Sequence, residues 1–139
     1  EVINANWERN DTSGYGSIGS AMTQTSGTFT FPSTGIYFIT FNMIMYSVST
    51  LQRYAGGLIN RTINNSDYAA VSTSYVNGGV NDSNGCYMSS ETKFLFDVVD
   101  TANYKVQFRV QAVSAAAAYV NGNTNENKTY ATFIRLGDT

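Results

Sequence analysis

Histidine is absent from this chain. With it go the Ser-His and Cys-His pairs that activate a nucleophile near neutral pH, and the usual zinc and copper ligands. The groups left for acid–base work are carboxylates, and Glu91, Asp97 and Asp100 cluster in the sequence. Two carboxyls about 5–9.5 Å apart would suit glycoside hydrolysis; exposed strand edges and turns are the other natural home for such residues. Gly14, Gly16 and Gly19 of "GYGSIG" have the spacing of a dinucleotide fingerprint. That fingerprint needs a helix to follow and an acidic group for the ribose about twenty residues on. Here "SAMTQTSG" follows with no helical pattern, and Thr34 to Ile39 holds no Asp or Glu, so a glycine-rich loop between strands fits better.

"NDSNG" at Asn81 to Gly85 offers oxygen ligands but lacks the charge count and terminal bidentate Glu of a calcium loop, and reads as a β-turn. Cys86, the one cysteine, cannot close an internal disulfide and reads as a small buried thiol. Sequons at Asn10, Asn60, Asn64, Asn81 and Asn127 arise readily by chance in a chain so rich in Asn, Ser and Thr. No catalytic residue, metal or cofactor is expected. For binding, Tyr119 with Asn121, Asn123 and Asn125 is the best candidate cluster. A phenol supplies a flat apolar face and amides supply both donors and acceptors, which suits a glycan.

These groups need a scaffold, and composition bounds it. A chain of 139 residues fits one domain, which buries roughly 68% of the surface its unfolded form exposes. Only 13% of residues are charged, the net charge is -2, and ten Tyr with eight Phe make the chain unusually aromatic. Eight basic residues against ten acidic ones give no surplus for phosphate contacts, so nucleic acid is not expected as a partner. The longest apolar run, within Gly35 to Tyr46, is broken by Thr40 and Asn42 and is too short to span about 30 Å of hydrocarbon; no membrane insertion is expected. The opening "EVINANW" carries neither an initiator Met nor a signal core, as expected of the C-terminal part of a longer chain.

Alternating runs separated by Gly, Asn, Ser and Asp clusters recur from end to end, without sustained helical periodicity. The fold class is all-β. Candidate strands are Ile3 to Glu8, Ser17 to Thr23, Gly27 to Phe31, Gly35 to Ser47, Tyr54 to Thr62, Tyr68 to Val76, Cys86 to Val98, Tyr104 to Val113 and Thr129 to Leu136. "SAAAAYV", Ser114 to Val120, is too short to hold a helix alone and suits a strand extension or a packed loop.

Two strands differ from the rest. From Tyr104 to Ala112, apolar residues alternate with Lys, Gln and Arg, so one face meets a core and the other water. From Tyr37 to Met45, Tyr37, Ile39, Phe41, Met43 and Met45 share one face, while Ile36, Phe38, Thr40, Asn42, Ile44 and Tyr46 share the other. In the last strand Tyr130, Thr132, Ile134 and Leu136 oppose Ala131, Phe133 and Arg135. A two-layer sandwich covers one face of each sheet. A second apolar face therefore implies another copy of the chain, with Phe38, Ile44, Tyr46 and Phe133 as interface candidates.

"SGTFTFPSTGIYFITFNM" resembles the opening segment of the tumour-necrosis-factor-like fold of the complement globular-head type, through Gly27, Phe29, Phe31, Pro32, Gly35, Tyr37 and Phe41. "ETKFLFDVVDTANYKVQFRV" is similar to that family's penultimate hairpin and "TYATFIRLGD" to its terminal strand. The resemblance implies a ten-stranded jelly roll over residues 1–139 that assembles as a tight homotrimer through its inner sheet. "NWERNDTSGYGSIGSAMT" also resembles the start of trimeric terminal domains on fibres of bacterial, especially marine, viruses, through Asn6, Trp7, Glu8, Arg9, Asp11, Gly16, Ile18 and Gly19. Together these imply a non-enzymatic head domain at a virion surface, attaching to a host-surface protein or glycan. The rivals are a bacterial surface or spore-coat trimer, a monomeric carbohydrate-binding sandwich and a carboxylate-driven glycan hydrolase.

Overall fold

The computed structural model describes residues 1–48, 52–79, 85–113 and 118–139. Nine strands run through them: β1 (Thr23–Thr25), β2 (Thr28–Thr30), β3 (Gly35–Ser47), β4 (Tyr54–Thr62), β5 (Ala69–Asn77), β6 (Cys86–Val98), β7 (Lys105–Ala112), β8 (Ala118–Val120) and β9 (Tyr130–Gly137). They form two antiparallel sheets. One has the order β1-β2-β7-β4-β5. In the other, β6 pairs with one edge of β3, while β9 and β8 share the opposite edge, β9 along Ile36 to Asn42 and β8 along Met45 to Ser47.

The alternation in β3 is carried into the packing. Tyr37, Ile39, Phe41, Met43 and Met45 are buried between the sheets, where they meet Ile59 of β4, Met88 and Phe96 of β6, and Val106 and Phe108 of β7. Phe108 is the hub of an aromatic cluster, with ring centroids 4.8 Å from Phe41, 5.2 Å from Phe29, 5.5 Å from Trp7 and 5.8 Å from Phe133. Gly57 of β4 lies under this cluster: a Cβ there would stand 3.0 Å from the Phe41 ring.

Two expected strands do not form. Between Ile3 and Glu8 the backbone turns at Asn6, whose φ is 61°, and the Trp7 indole N–H donates to the Ile3 carbonyl at 2.8 Å, which carries the ring inward onto Phe29. What remains of that strand is a short seam beside β7, with Ile3 N–H donating to Phe108 O and Val110 N–H to Glu1 O. Ser17 to Met22 is irregular and has no strand partner; of the predicted run only Thr23 enters a strand, as the start of β1. β1 and β2 are joined by Ser26 and Gly27, both at positive φ (47° and 80°), the signature of a tight type I′ hairpin. The tenth strand of the expected jelly roll is not found among the described residues, and of Ser114 to Val120 only Ala118–Val120 is described, as β8.

Candidate functional site

The carboxylates do not converge. Glu91 and Asp97 lie on the same face of β6 six residues apart, which separates them by about 20 Å at strand rise, too far for a hydrolytic pair. Glu91 is paired with Lys93 at 3.1 Å. Asp100 closes its own turn: its Oδ1 accepts from Ala102 N–H at 2.8 Å and its Oδ2 from Asn103 Nδ2 at 2.6 Å. These bonds, the Asn103 amide first, hold the Asp100 carboxyl below the ordinary aspartate value. A lowered folded value stabilises the turn above the unfolded value, and that contribution disappears as pH falls through the folded one. Carboxyl titration by NMR is expected to give Asp100 a midpoint below that of an aspartate in an unstructured peptide, and an Asn103→Ala variant should bring it back up.

Gly14 to Gly19 form an exposed, irregular stretch that precedes β1, and no helix follows. Among the described residues no three His, Cys, Asp or Glu side chains are grouped to hold a metal, and no helix is long and apolar enough to cross a membrane. Of the "NDSNG" turn, Asn81 to Asn84 lie outside the described residues. Cys86 is half-buried at the start of β6 against the core. Among the sequons, Asn60 is buried, whereas Asn64 uses its Oδ1 to accept from Ser66 and Asp67 N–H within its own turn.

The asparagine-rich cluster comes apart. Tyr119 belongs to β8 and pairs with Tyr46 of β3, so its ring lies on the sheet face rather than in the loop. Asn121 N–H donates to Ile44 O, and the Thr129 hydroxyl donates to Asn121 O at 2.9 Å, which ties this residue to the end of β3. Asn123 and Asn125 are exposed and form a local turn, with Asn125 N–H donating to Asn123 Oδ1 at 2.7 Å. The loop is fastened to the N-terminal segment by Thr124 Oγ1 donating to Glu8 Oε2 and by Asn10 Nδ2 donating to Asn127 Oδ1.

The outer face of the sheet built on β3 holds the strongest candidate. Register sets it out in rows: Leu95–Phe38–Ile134, then Lys93–Thr40–Thr132, Glu91–Asn42–Tyr130, Ser89–Ile44, and Tyr87–Tyr46–Tyr119. An apolar or aromatic row stands at each end, with three rows between that carry the polar groups and Ile44. Leu95 is 57% exposed, Ile134 47%, Tyr87 69% and Tyr119 59%, while Tyr46 and Tyr87 pack with ring centroids 4.7 Å apart. Phe38, Ile44 and Tyr46 are half-buried on this face, on the side of β3 the sequence assigns them.

Phe133 is not on it. Its register partner is Ile39, a core residue, and its ring lies 5.5 Å from Phe29 and 6.1 Å from Phe31, inside the sandwich. The outward residue of β9 at this level is Ile134, opposite Phe38. Leu95, Tyr87 and Ile134 belong to the face and stand outside the candidate set Phe38, Ile44, Tyr46 and Phe133. Alternation along β6 was the available signal, since Tyr87, Ser89, Glu91, Lys93 and Leu95 share one parity.

Two sheets in this order, with β3 central to one of them and β9 closing its edge, can be compared with solved structures. The fold is tumour-necrosis-factor-like. A structure of Eiger TNF from S. frugiperda superposes with a TM-score of 0.62 at 12% sequence identity, covering 85% of this chain and 70% of that one. Neither a protein-family model nor a curated protein matches the sequence.

Proposed function

We propose that the chain is a non-enzymatic, homotrimeric head domain of a virion-surface fibre, attaching its particle to a host-surface receptor or glycan. The observation that carries this reading is the outer face of the β6–β3–β9 layer. Soluble monomers rarely expose large contiguous apolar patches, and those that exist mark interaction surfaces. Here the apolar rows Leu95–Phe38–Ile134 and Tyr87–Tyr46–Tyr119 bracket a polar belt, the pattern of a contact that is dry at some levels and hydrogen-bonded at others. A surface rich in Asn, Ser, Thr and Gly with little charge suits a virion module, as does the resemblance of residues 6–23 to fibre domains.

Sedimentation of the unmodified chain tests it: a mass three times that of one chain is expected, independent of dilution through the micromolar range. A folded monomer would overturn the trimer and with it the head-domain reading. It would favour the second reading, a monomeric carbohydrate-binding sandwich, for which the exposed tyrosine rings of this molecule are the motivating observation. A bacterial surface or spore-coat trimer shares the sedimentation result and differs in what lies elsewhere in its chain.

A further inference from the structure

The second sheet carries a tyrosine shelf on the side of the sandwich opposite the β3 face. Tyr75 of β5, Gly56 of β4 and Gln111 of β7 are register partners across three adjacent strands. Gly56 has no side chain, and the Tyr75 ring occupies the space where its Cβ would project. The ring is thereby laid across β4, and its hydroxyl reaches the strand beyond, donating to Gln111 Oε1 at 2.9 Å. Tyr54, two residues before Gly56 on the same face of β4, stands edge-on to Tyr75, with centroids 5.4 Å apart and an interplanar angle of 85°. Gln111 Nε2 is 3.4 Å from the Tyr54 hydroxyl, and Asn77 is the register partner of Tyr54.

We propose that this shelf is a saccharide-binding site that takes one hexopyranose unit, its C–H face stacked on Tyr75. Three features point to that chemistry. Tyr75 remains 55% exposed although both its edge and its hydroxyl are fixed, so a flat apolar plate is held ready at little further entropic cost. Tyr54 and Tyr75 line a shallow, open depression on this face. The two phenol hydroxyls and the amides of Gln111 and Asn77 keep unused donors and acceptors at the rim, the mixed capacity that sugar hydroxyls require. The proposal rests on the attachment reading for its biological sense but not for its geometry. Because the shelf and the β3 face lie on opposite sides of the sandwich, covering one leaves the other open, and a trimer would present three shelves outward for multivalent attachment.

The test is an NMR titration of the full chain with soluble β-linked galactose, glucose, mannose and N-acetylglucosamine oligosaccharides, read at the Tyr54, Tyr75 and Gln111 signals. At least one oligosaccharide is expected to shift these signals saturably. Tyr75→Ala should weaken that binding about tenfold, the loss of one aromatic stack, and Gln111→Ala, which releases the Tyr75 hydroxyl and removes the rim amide, should weaken it as well. Far-UV circular dichroism establishes that each variant is folded, and sedimentation of the same samples reports the trimer separately, so the two proposals fail independently. No shift with any of the four sugars, or equal affinity in folded Tyr75→Ala protein, would overturn the site.

Discussion

Replacing Leu95 and Ile134 together by aspartate is expected to leave a folded monomer in place of the trimer proposed for the unmodified chain. The two residues flank Phe38 on neighbouring strands and are about half exposed in the single chain. In an isolated subunit the new carboxylates therefore stay in water, and the cost is limited to strand preference, about 1 kcal/mol or less per site. In an assembly that covers this row, each substitution forfeits about 1.5–3 kcal/mol of apolar burial and adds the penalty of desolvating a charge. With about 1.4 kcal/mol per factor of ten, two sites in every subunit would weaken such an assembly by about two to four powers of ten. The measurement is sedimentation velocity with circular dichroism on the same sample. A trimer that survives the double substitution would show that the copies meet elsewhere. Phe133→Asp is the wrong probe for this purpose, since it would place a charge among Phe29, Phe31 and Phe108 and report on folding instead.

Phe108→Ala is expected to cost about 3–5 kcal/mol of stability, a large share of the roughly 5–15 kcal/mol available to a domain of this size. The side chain is fully buried and touches aromatic rings from the N-terminal segment, β2, β3 and β9. The shortened side chain would leave a cavity bounded by four large rings that cannot all collapse into it. Urea denaturation at fixed protein concentration reads the loss as a lowered midpoint, with concentration held constant because assembly would add its own stabilisation. A midpoint within experimental error of the unmodified protein would mean that Phe108 is not the centre of the core.

What sequence patterning could reach differs between the two halves of the sheet built on β3. Along β3 itself the inward set is uniformly large and apolar, and the outward set contains Thr40 and Asn42, so both parity and direction are readable locally. Along β9 the parity was equally clear, but Ala131, Phe133 and Arg135 mix with polarity much like Thr132, Ile134 and Leu136. Its direction is fixed only by the pairing of Ile39 with Phe133, a contact between distant stretches that no local window contains. Ile3 to Glu8 failed for the reverse reason: the alternation was present, and a local event, the left-handed turn at Asn6 with the Trp7 indole bond, overrode it. Tyr119 was grouped with the asparagines because they adjoin it in sequence, whereas β8 ends at Val120 and turns that ring onto the sheet. The tyrosine shelf was out of reach altogether, since Tyr54, Tyr75 and Gln111 come from three separate strands and nothing in their spacing relates them.

The row Leu95–Phe38–Ile134 has a consequence for biosynthesis. Its three members leave the ribosome at widely separated times, Phe38 first, Leu95 later and Ile134 last. Until Ile134 emerges, a nascent chain cannot present this row complete. The same delay leaves one edge of β3 without its β9 partner during elongation, and an unpaired strand edge is a template for aggregation. Slower translation between Leu95 and Ile134 would lengthen the time that edge stands open, independent of how stable the finished domain is.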